Sequence, residues 1–155
     1  MRSKYYISVG GFFGGKNTRE IISNVAKKEN WEKCLKGAYE PKADCILKMV
    51  ETLNVIWAEF SNDSLDKNFP KMELNTLFLM KEFQDHLKEE TNIPTFTLSM
   101  YFYRQFEEKL REYKNSVKNE LETTESIKAE LMEIAEDMLG QIALTIMEYA
   151  QKDYI

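Results

Sequence analysis

The fold is decided by residues 95–153, which read TFTLSMYFYRQFEEKLREYKNSVKNELETTESIKAELMEIAEDMLGQIALTIMEYAQKD. Apolar side chains recur through this stretch at steps of three or four residues, which places them on one face of an α-helix. The pattern is interrupted near Thr123 and Thr124, so it predicts two long amphipathic helices joined by a short break. The first apolar stripe consists of Phe96, Met100, Tyr103, Phe106, Leu110, Tyr113, Val117 and Leu121, and the second of Ile127, Leu131, Ile134, Met138, Ile142, Ile146 and Tyr149.

The preceding residues supply the surfaces that would bury these two stripes. Their helical apolar pattern and helix-end signals predict helices at about 18–28, 31–36, 42–60 and 71–90. Asn17, with Glu20 three residues later, has the pattern of a helix-capping pair. Gly37 is placed to follow a helix end, and Pro41 is placed in a first turn.

Two details of the fourth predicted helix matter for the packing. Residues 61–70 are polar and include a proline, which predicts a loop before this helix. Residues 77–80, Leu-Phe-Leu-Met, are apolar on every side of the helix, which predicts a central, buried position. The architecture expected from the whole chain is a single all-α domain of about five or six helices, packed as a bundle or globular array.

The N-terminal residues have a different character. Alternating Tyr5, Ile7 and Val9 predict a short strand or an extended arm, and residues 1–17 are expected to form a Gly-rich extended segment. Residues 10–16 also match the spacing G-x-x-x-x-G-K, so Gly14, Gly15 and Lys16 are candidates for binding an anion. The residue after Lys16 is Asn17 rather than the Ser or Thr that would hold magnesium, so a simple turn is the competing interpretation.

Composition narrows the classes of function. The chain has 155 residues, of which 43% are hydrophobic and 30% are charged, as in a single globular domain. The formal net charge of −5 argues against general nucleic-acid binding, which depends on neutralising phosphates, and is compatible with a basic partner protein. Two cysteines are too few for a disulfide scaffold or a Cys-rich zinc site. No segment has the pattern of a signal peptide or a membrane span, so we expect a cytoplasmic protein. We also expect no cofactor.

The last predicted helix carries a row of acidic side chains. Glu130, Glu133 and Asp137 share a face, and Glu136 lies beside them. Such a row is either the solvated side of an amphipathic helix, a contact surface for a partner, or a site for magnesium if a second acidic helix faces it.

Aromatic side chains and the single histidine complete the candidates. Tyr101 and Phe102 fall off the apolar stripe of their helix, so they are either buried by another helix or exposed as interface anchors. His86 has glutamates four residues to either side, which describes a surface histidine among carboxylates.

The sequence contains no complete catalytic set, so we do not expect an enzyme. The leading hypothesis is a small acidic protein that binds a partner protein stoichiometrically, in the manner of an immunity protein, antitoxin, inhibitor or adaptor. The expected contact residues are Tyr101, Phe102, Glu130, Glu133, Glu136 and Asp137. The alternatives are a binder or hydrolase of a phosphorylated ligand, which would use residues 10–16 or magnesium held by the last helix, and a homo-oligomeric structural subunit.

Overall fold

The computed structural model describes residues 17–37, 40–61, 65–87 and 94–151. Within these ranges the chain forms six helices and no strand, which confirms the predicted all-α array. The predicted N-terminal strand and the residues Gly14, Gly15 and Lys16 lie outside the described residues, as does the side chain of His86. The helices are α1 (Thr18–Ala26), α2 (Lys28–Cys34), α3 (Glu40–Ser61), α4 (Leu65–Leu87), α5 (Pro94–Lys118) and α6 (Thr124–Gln151).

The helix-end signals at Asn17 and Pro41 are used as predicted, whereas the second helix runs from Lys28 to Cys34 rather than over the predicted 31–36, so Gly37 lies two residues after its C-cap, Leu35. The side-chain oxygen of Asn17 accepts a hydrogen bond from the backbone N–H of Glu20 at 2.9 Å, and its side-chain nitrogen donates to the Glu20 carboxylate at 3.2 Å. This pair satisfies a backbone donor that the first turn of α1 cannot satisfy internally. Pro41 is the second residue of α3, and Gly37 has a φ of +82° just after α2.

The central helix is α6. It packs against α1, α3 and α5, and its buried side chains run from Ile127 to Ala150. α5 lies along α6 as its most extensive partner, and α3 also packs against α1 and α4. α2 turns back on α1, where the buried indole N–H of Trp31 donates to the carbonyl of Val25 at 2.8 Å. The core is therefore built around the second of the two stripes that the sequence predicts.

The predicted central position of residues 77–80 is wrong. Leu79 and Met80 are buried, as are Met72, Thr76 and Phe83 on the same side of α4, but Leu77 and Phe78 are substantially exposed. α4 has one face against α3 and makes few contacts with α5, so no other described helix covers its remaining face. A helix with apolar side chains on every side can be recognised from its sequence. Whether those side chains are buried depends on how many neighbouring helices surround it.

Two further expectations need correction. Residues 65–70, predicted as loop, belong to α4, although Pro70 cannot donate the usual bond to the carbonyl of Asp66. The apolar stripe of α5 is buried at Phe106, Leu110 and Tyr113 but not at Val117, which is exposed at the end of the helix. The predicted break between α5 and α6 is confirmed at residues 119–123.

Candidate protein-binding surface

One face of α5 remains open beside α6. Leu98, Tyr101, Gln105 and Glu108 follow one another at steps of three and four, so they share this face. Leu98 is 46% exposed and Tyr101 is 57% exposed, although both belong to residue types that favour burial. Gln105 and Glu108 line an open cleft whose other wall includes Ile134 of α6. The exposed apolar pair therefore lies on the face of α5 that borders α6.

The predicted acidic row lies along the neighbouring strip of α6. Glu130 is four residues before Ile134 and Asp137 is three residues after it, so both flank the same cleft. Asp137 also contributes to a small pocket of about 80 Å³ between α6 and α1, together with Thr18, Ile21, Gly140, Gln141 and Leu144. Since Glu136 faces α1 and Glu130 faces α5, helical spacing places Glu133 and Asp137 on the exposed strip of α6 between these two neighbours, and we call this strip together with the adjacent face of α5 the groove.

Two of the four predicted carboxylates are already in ion pairs. Glu130 accepts a hydrogen bond from the Lys109 ammonium at 2.7 Å, and Glu112 lies 3.0 Å from the same nitrogen. The hydrogen bond to Glu130, followed by the one to Glu112, raises the pKa of Lys109 above its usual value. Lys109 therefore holds its charge at physiological pH and neutralises part of this end of the groove.

Glu136 is bound on the opposite side of the strip. Its carboxylate lies 3.1 Å from Nε of Arg19, whose guanidinium also lies 5.9 Å from the centre of the Trp57 ring. This contact ties α6 to α1 and α3, and exposed ion pairs of this kind contribute little to stability. Glu136 is therefore a bridge between helices rather than a free contact residue.

Glu133 and Asp137 are different because both are exposed and neither forms an ion pair with another described residue. No described cation lies within ion-pair distance of these two carboxylates, so the exposed strip of α6 carries negative charge. Among the residues that the structure describes, no group of three or more His, Cys, Asp or Glu side chains is arranged to hold a metal ion. The arrangement is suited to attracting positive charge and contacting an apolar surface.

Phe102 takes a different position from Tyr101. It is half-buried and packs against the hydrophobic core, and the Tyr101 ring meets it edge to face with centroids 5.4 Å apart. Phe102 thus lies between the core and the Tyr101 ring and restricts the orientation of that ring. Edge-to-face contact is a favoured arrangement for two aromatic rings. Sequence reasoning missed Leu98, although its position three residues before Tyr101 was a readable signal.

The two cysteines offer no activated nucleophile. Neither Cys34 nor Cys45 forms a disulfide, and burial raises the pKa of both thiols, that of Cys45 to about 11. A reactive cysteine requires a lowered pKa, because the thiolate is the nucleophile.

Sequence reasoning also missed that Lys42 is buried, with its ammonium 5.1 Å from the centre of the Tyr149 ring. This lysine is held within the core rather than presented to a ligand.

Comparisons with known proteins add no further constraint. No family model matches this chain, and no curated protein or solved structure matches it significantly. No helix in the described part of the chain is both long enough and apolar enough to cross a membrane.

Proposed function

We propose that this protein acts by stoichiometric binding of a basic partner protein, in the manner of an immunity protein, antitoxin, inhibitor or adaptor. The single observation that carries the proposal is Tyr101, which is 57% exposed on the face of α5 that borders α6, where Glu133 and Asp137 are also exposed and form no ion pair with a described residue. Exposed tyrosines are favoured interface anchors because they bury a large area while keeping few rotatable bonds. An adjacent negative surface steers a basic partner toward that anchor.

The groove divides the expected roles between its residues. Tyr101 and Leu98 would supply apolar contact area, and Phe102 would hold the Tyr101 ring in place. Glu133 and Asp137 would pair with Lys or Arg side chains of the partner. Glu130 and Glu136 are already paired with Lys109 and Arg19, so they would contribute less.

The proposal is tested by affinity capture from a lysate of the source cells, with elution in a salt series and identification by mass spectrometry. We expect one stoichiometric protein that salt releases, because screening weakens charge pairs at the surface. Tyr101→Ala should weaken capture by about tenfold or more, as loss of an interface anchor does. Asp137→Lys should weaken it further and reduce its dependence on salt.

Phe78→Ala is the matched control, because Phe78 is an aromatic residue of similar exposure on a different helix, α4. It should capture the same partner as the unmodified chain. A partner retained by the Tyr101→Ala, Asp137→Lys double variant would contradict the proposal. Capture of a nucleotide or phosphorylated metabolite in place of a protein would instead support the alternative function at residues 10–16.

A further inference from the structure

The uncovered face of α4 is a second, separate apolar surface. Leu74, Leu77 and Phe78 are 50%, 40% and 52% exposed, and they lie on the side of α4 opposite its contact with α3. Leu74 lies one helical turn from both Leu77 and Phe78, so the three side chains are neighbours on the helix surface, and exposed apolar patches can mark sites of association. None of these residues belongs to the groove beside Tyr101.

The spacing along this face is that of a helix-pairing seam. The exposed residues Lys71, Leu74, Phe78, Lys81 and Asp85 follow one another at steps of three, four, three and four. Two helices that pair along such a seam bring these positions into contact layer by layer. A seam whose middle is apolar and whose ends are charged is arranged to receive another helix.

The charges on the seam identify its occupant. Lys71 lies seven residues before Phe78, and Asp85 lies seven residues after it. In an antiparallel pair of α4 helices related by a two-fold axis at Phe78, Lys71 of each copy lies opposite Asp85 of the other. Leu74 then lies within one residue of the level of Lys81 in the other copy, and the methylene stem of Lys81 can cover it while the ammonium reaches water. A seam that complements itself in this way has the property that two-fold symmetric interfaces require.

The charges on the seam have few partners among the described residues: Lys71 lies near enough to Glu59 of α3 for its charge to oppose the rise in the pKa of that carboxyl that burial causes. Neither Lys71 nor Asp85 forms an ion pair with another described residue, and Lys81 does not either. Fourteen residues of helix separate Lys71 from Asp85, which is about 21 Å along the axis at 1.5 Å per residue. The two groups are too far apart to meet within one chain.

We therefore infer that a second copy of this chain covers the Leu74, Leu77 and Phe78 face, in an antiparallel α4–α4 dimer centred on Phe78. The seam covers about four turns of one helix, so the dimer belongs to the small and weak class of interfaces. We expect a dissociation constant of about 1–100 μM, which corresponds to a modest free energy of association. This dimer is independent of the groove, so each surface can bind while the other is altered.

Sedimentation velocity of the full chain between about 1 and 500 μM tests the dimer, since that range brackets the expected constant. Phe78→Ser should raise the dissociation constant by about tenfold or more, because it removes the central contact from both copies. Tyr101→Ala should leave the constant unchanged, because Tyr101 lies on the other surface. A chain that stays monomeric throughout, or a dimer that Phe78→Ser does not weaken, would overturn the inference.

A charge exchange tests the antiparallel register. Lys71→Asp should weaken the dimer by about tenfold, because it places two carboxylates opposite each other at both ends of the seam. The double variant Lys71→Asp, Asp85→Lys should restore the dimer, because it reverses both pairs together. Lys36→Asp is the control for net charge, because it changes the charge by the same amount at one exposed residue outside α4. It should leave the dimer unchanged. Failure of the exchange to restore association would rule out this geometry.

Discussion

Gly140 allows α1 to approach α6 closely. A Cβ atom built on Gly140 would lie 2.7 Å from Cγ2 of Thr18, which is closer than two carbon atoms can pack. Glycine in a helix is less stable than alanine by roughly 1 kcal/mol, and the close contact with α1 offsets this cost. The sequence permitted either a close crossing or a bend at this position, and the crossing is what the structure contains.

Gly140→Ala should therefore destabilise the protein, although alanine is the better helix former. We expect the free energy of unfolding to fall by about 1–2 kcal/mol, because the added methyl group forces Thr18 or α1 to move. Urea denaturation followed by circular dichroism measures the change.

Thr18→Ser supplies the matched background, since it removes Cγ2 and keeps the hydroxyl group. In that background Gly140→Ala should be neutral or should stabilise the fold by up to about 1 kcal/mol, as helix propensity alone predicts. An equal loss of stability in both backgrounds would show that the contact with Thr18 is not the cause.

At the scale of the helices, the joint between α5 and α6 is a helix end with one residue in the left-handed conformation. The N–H of Leu121 donates to the carbonyl of Ser116 at 3.0 Å, and Glu120 has a φ of +51°. This is the backbone arrangement of a Schellman helix end, in which glycine usually occupies the left-handed position. Glu120 occupies it here, so the turn carries a conformational cost that another residue would lower.

Glu120→Gly should raise the stability of the protein. The left-handed conformation costs a residue with a Cβ roughly 1–2 kcal/mol, and part of the gain is lost because glycine makes the unfolded chain more flexible. We expect a net increase of about 0.5–1 kcal/mol in the free energy of unfolding, measured by urea denaturation.

Glu122→Gly is the comparison for this change. Glu122 is also exposed, lies in the same joint and does not have a positive φ, so its replacement should be neutral or slightly destabilising. Equal effects of the two substitutions would indicate that the gain does not arise from the backbone conformation at Glu120.

The positions of the helices follow closely from local sequence. The capping pair at Asn17, the break before α6 and the stripe of α6 were all readable, because each depends on residues within a few positions of one another. The start of α4 was not, because the polar composition of residues 61–70 resembles that of a loop. Helix formation through Pro70 depends on the rest of α4 rather than on that local segment.

At the scale of the whole molecule, packing is unevenly distributed. α6 is surrounded by α1, α3 and α5, whereas α4 has α3 on one side and few contacts with α5. An ion pair between Lys114 of α5 and Glu73 of α4 spans this sparse contact, and both groups are substantially exposed. An exposed ion pair contributes little, so α4 is held mainly by α3.

Amide hydrogen exchange should reflect this arrangement. We expect the amides around Leu139 and Ile142 of α6 to exchange most slowly and those around Leu77 and Phe78 of α4 to exchange faster, because α4 has fewer buried neighbours. Exchange followed by mass spectrometry at about 0.1 μM measures the monomer, because this concentration lies below the dissociation constant expected for the dimer. Equal protection of the two helices at that concentration would contradict the packing described here.

The candidate binding surface was predictable in part. Glu133 and Asp137 could be placed on one face from their spacing, and Tyr101 stood out because it falls off the apolar stripe. That Glu130 is held by Lys109 and Glu136 by Arg19 could not be read from the chain, because each pair joins residues on different helices. That Phe102 is half-buried while Tyr101 is exposed could not be read from the chain either, because burial depends on which other helices pack against α5.

The sequence alone therefore determined the all-α class, the capping of α1, the break before α6 and the polar or apolar character of each face. These features depend on spacing along the chain, and a helix converts spacing into direction wherever it forms. Only the tertiary structure decided that α6 is central, that no described helix covers one face of α4 and that Tyr101 is exposed on the face of α5 that borders α6. Exposure is a relation between a side chain and neighbours distant in sequence, and the composition of a helix does not record which neighbours those are.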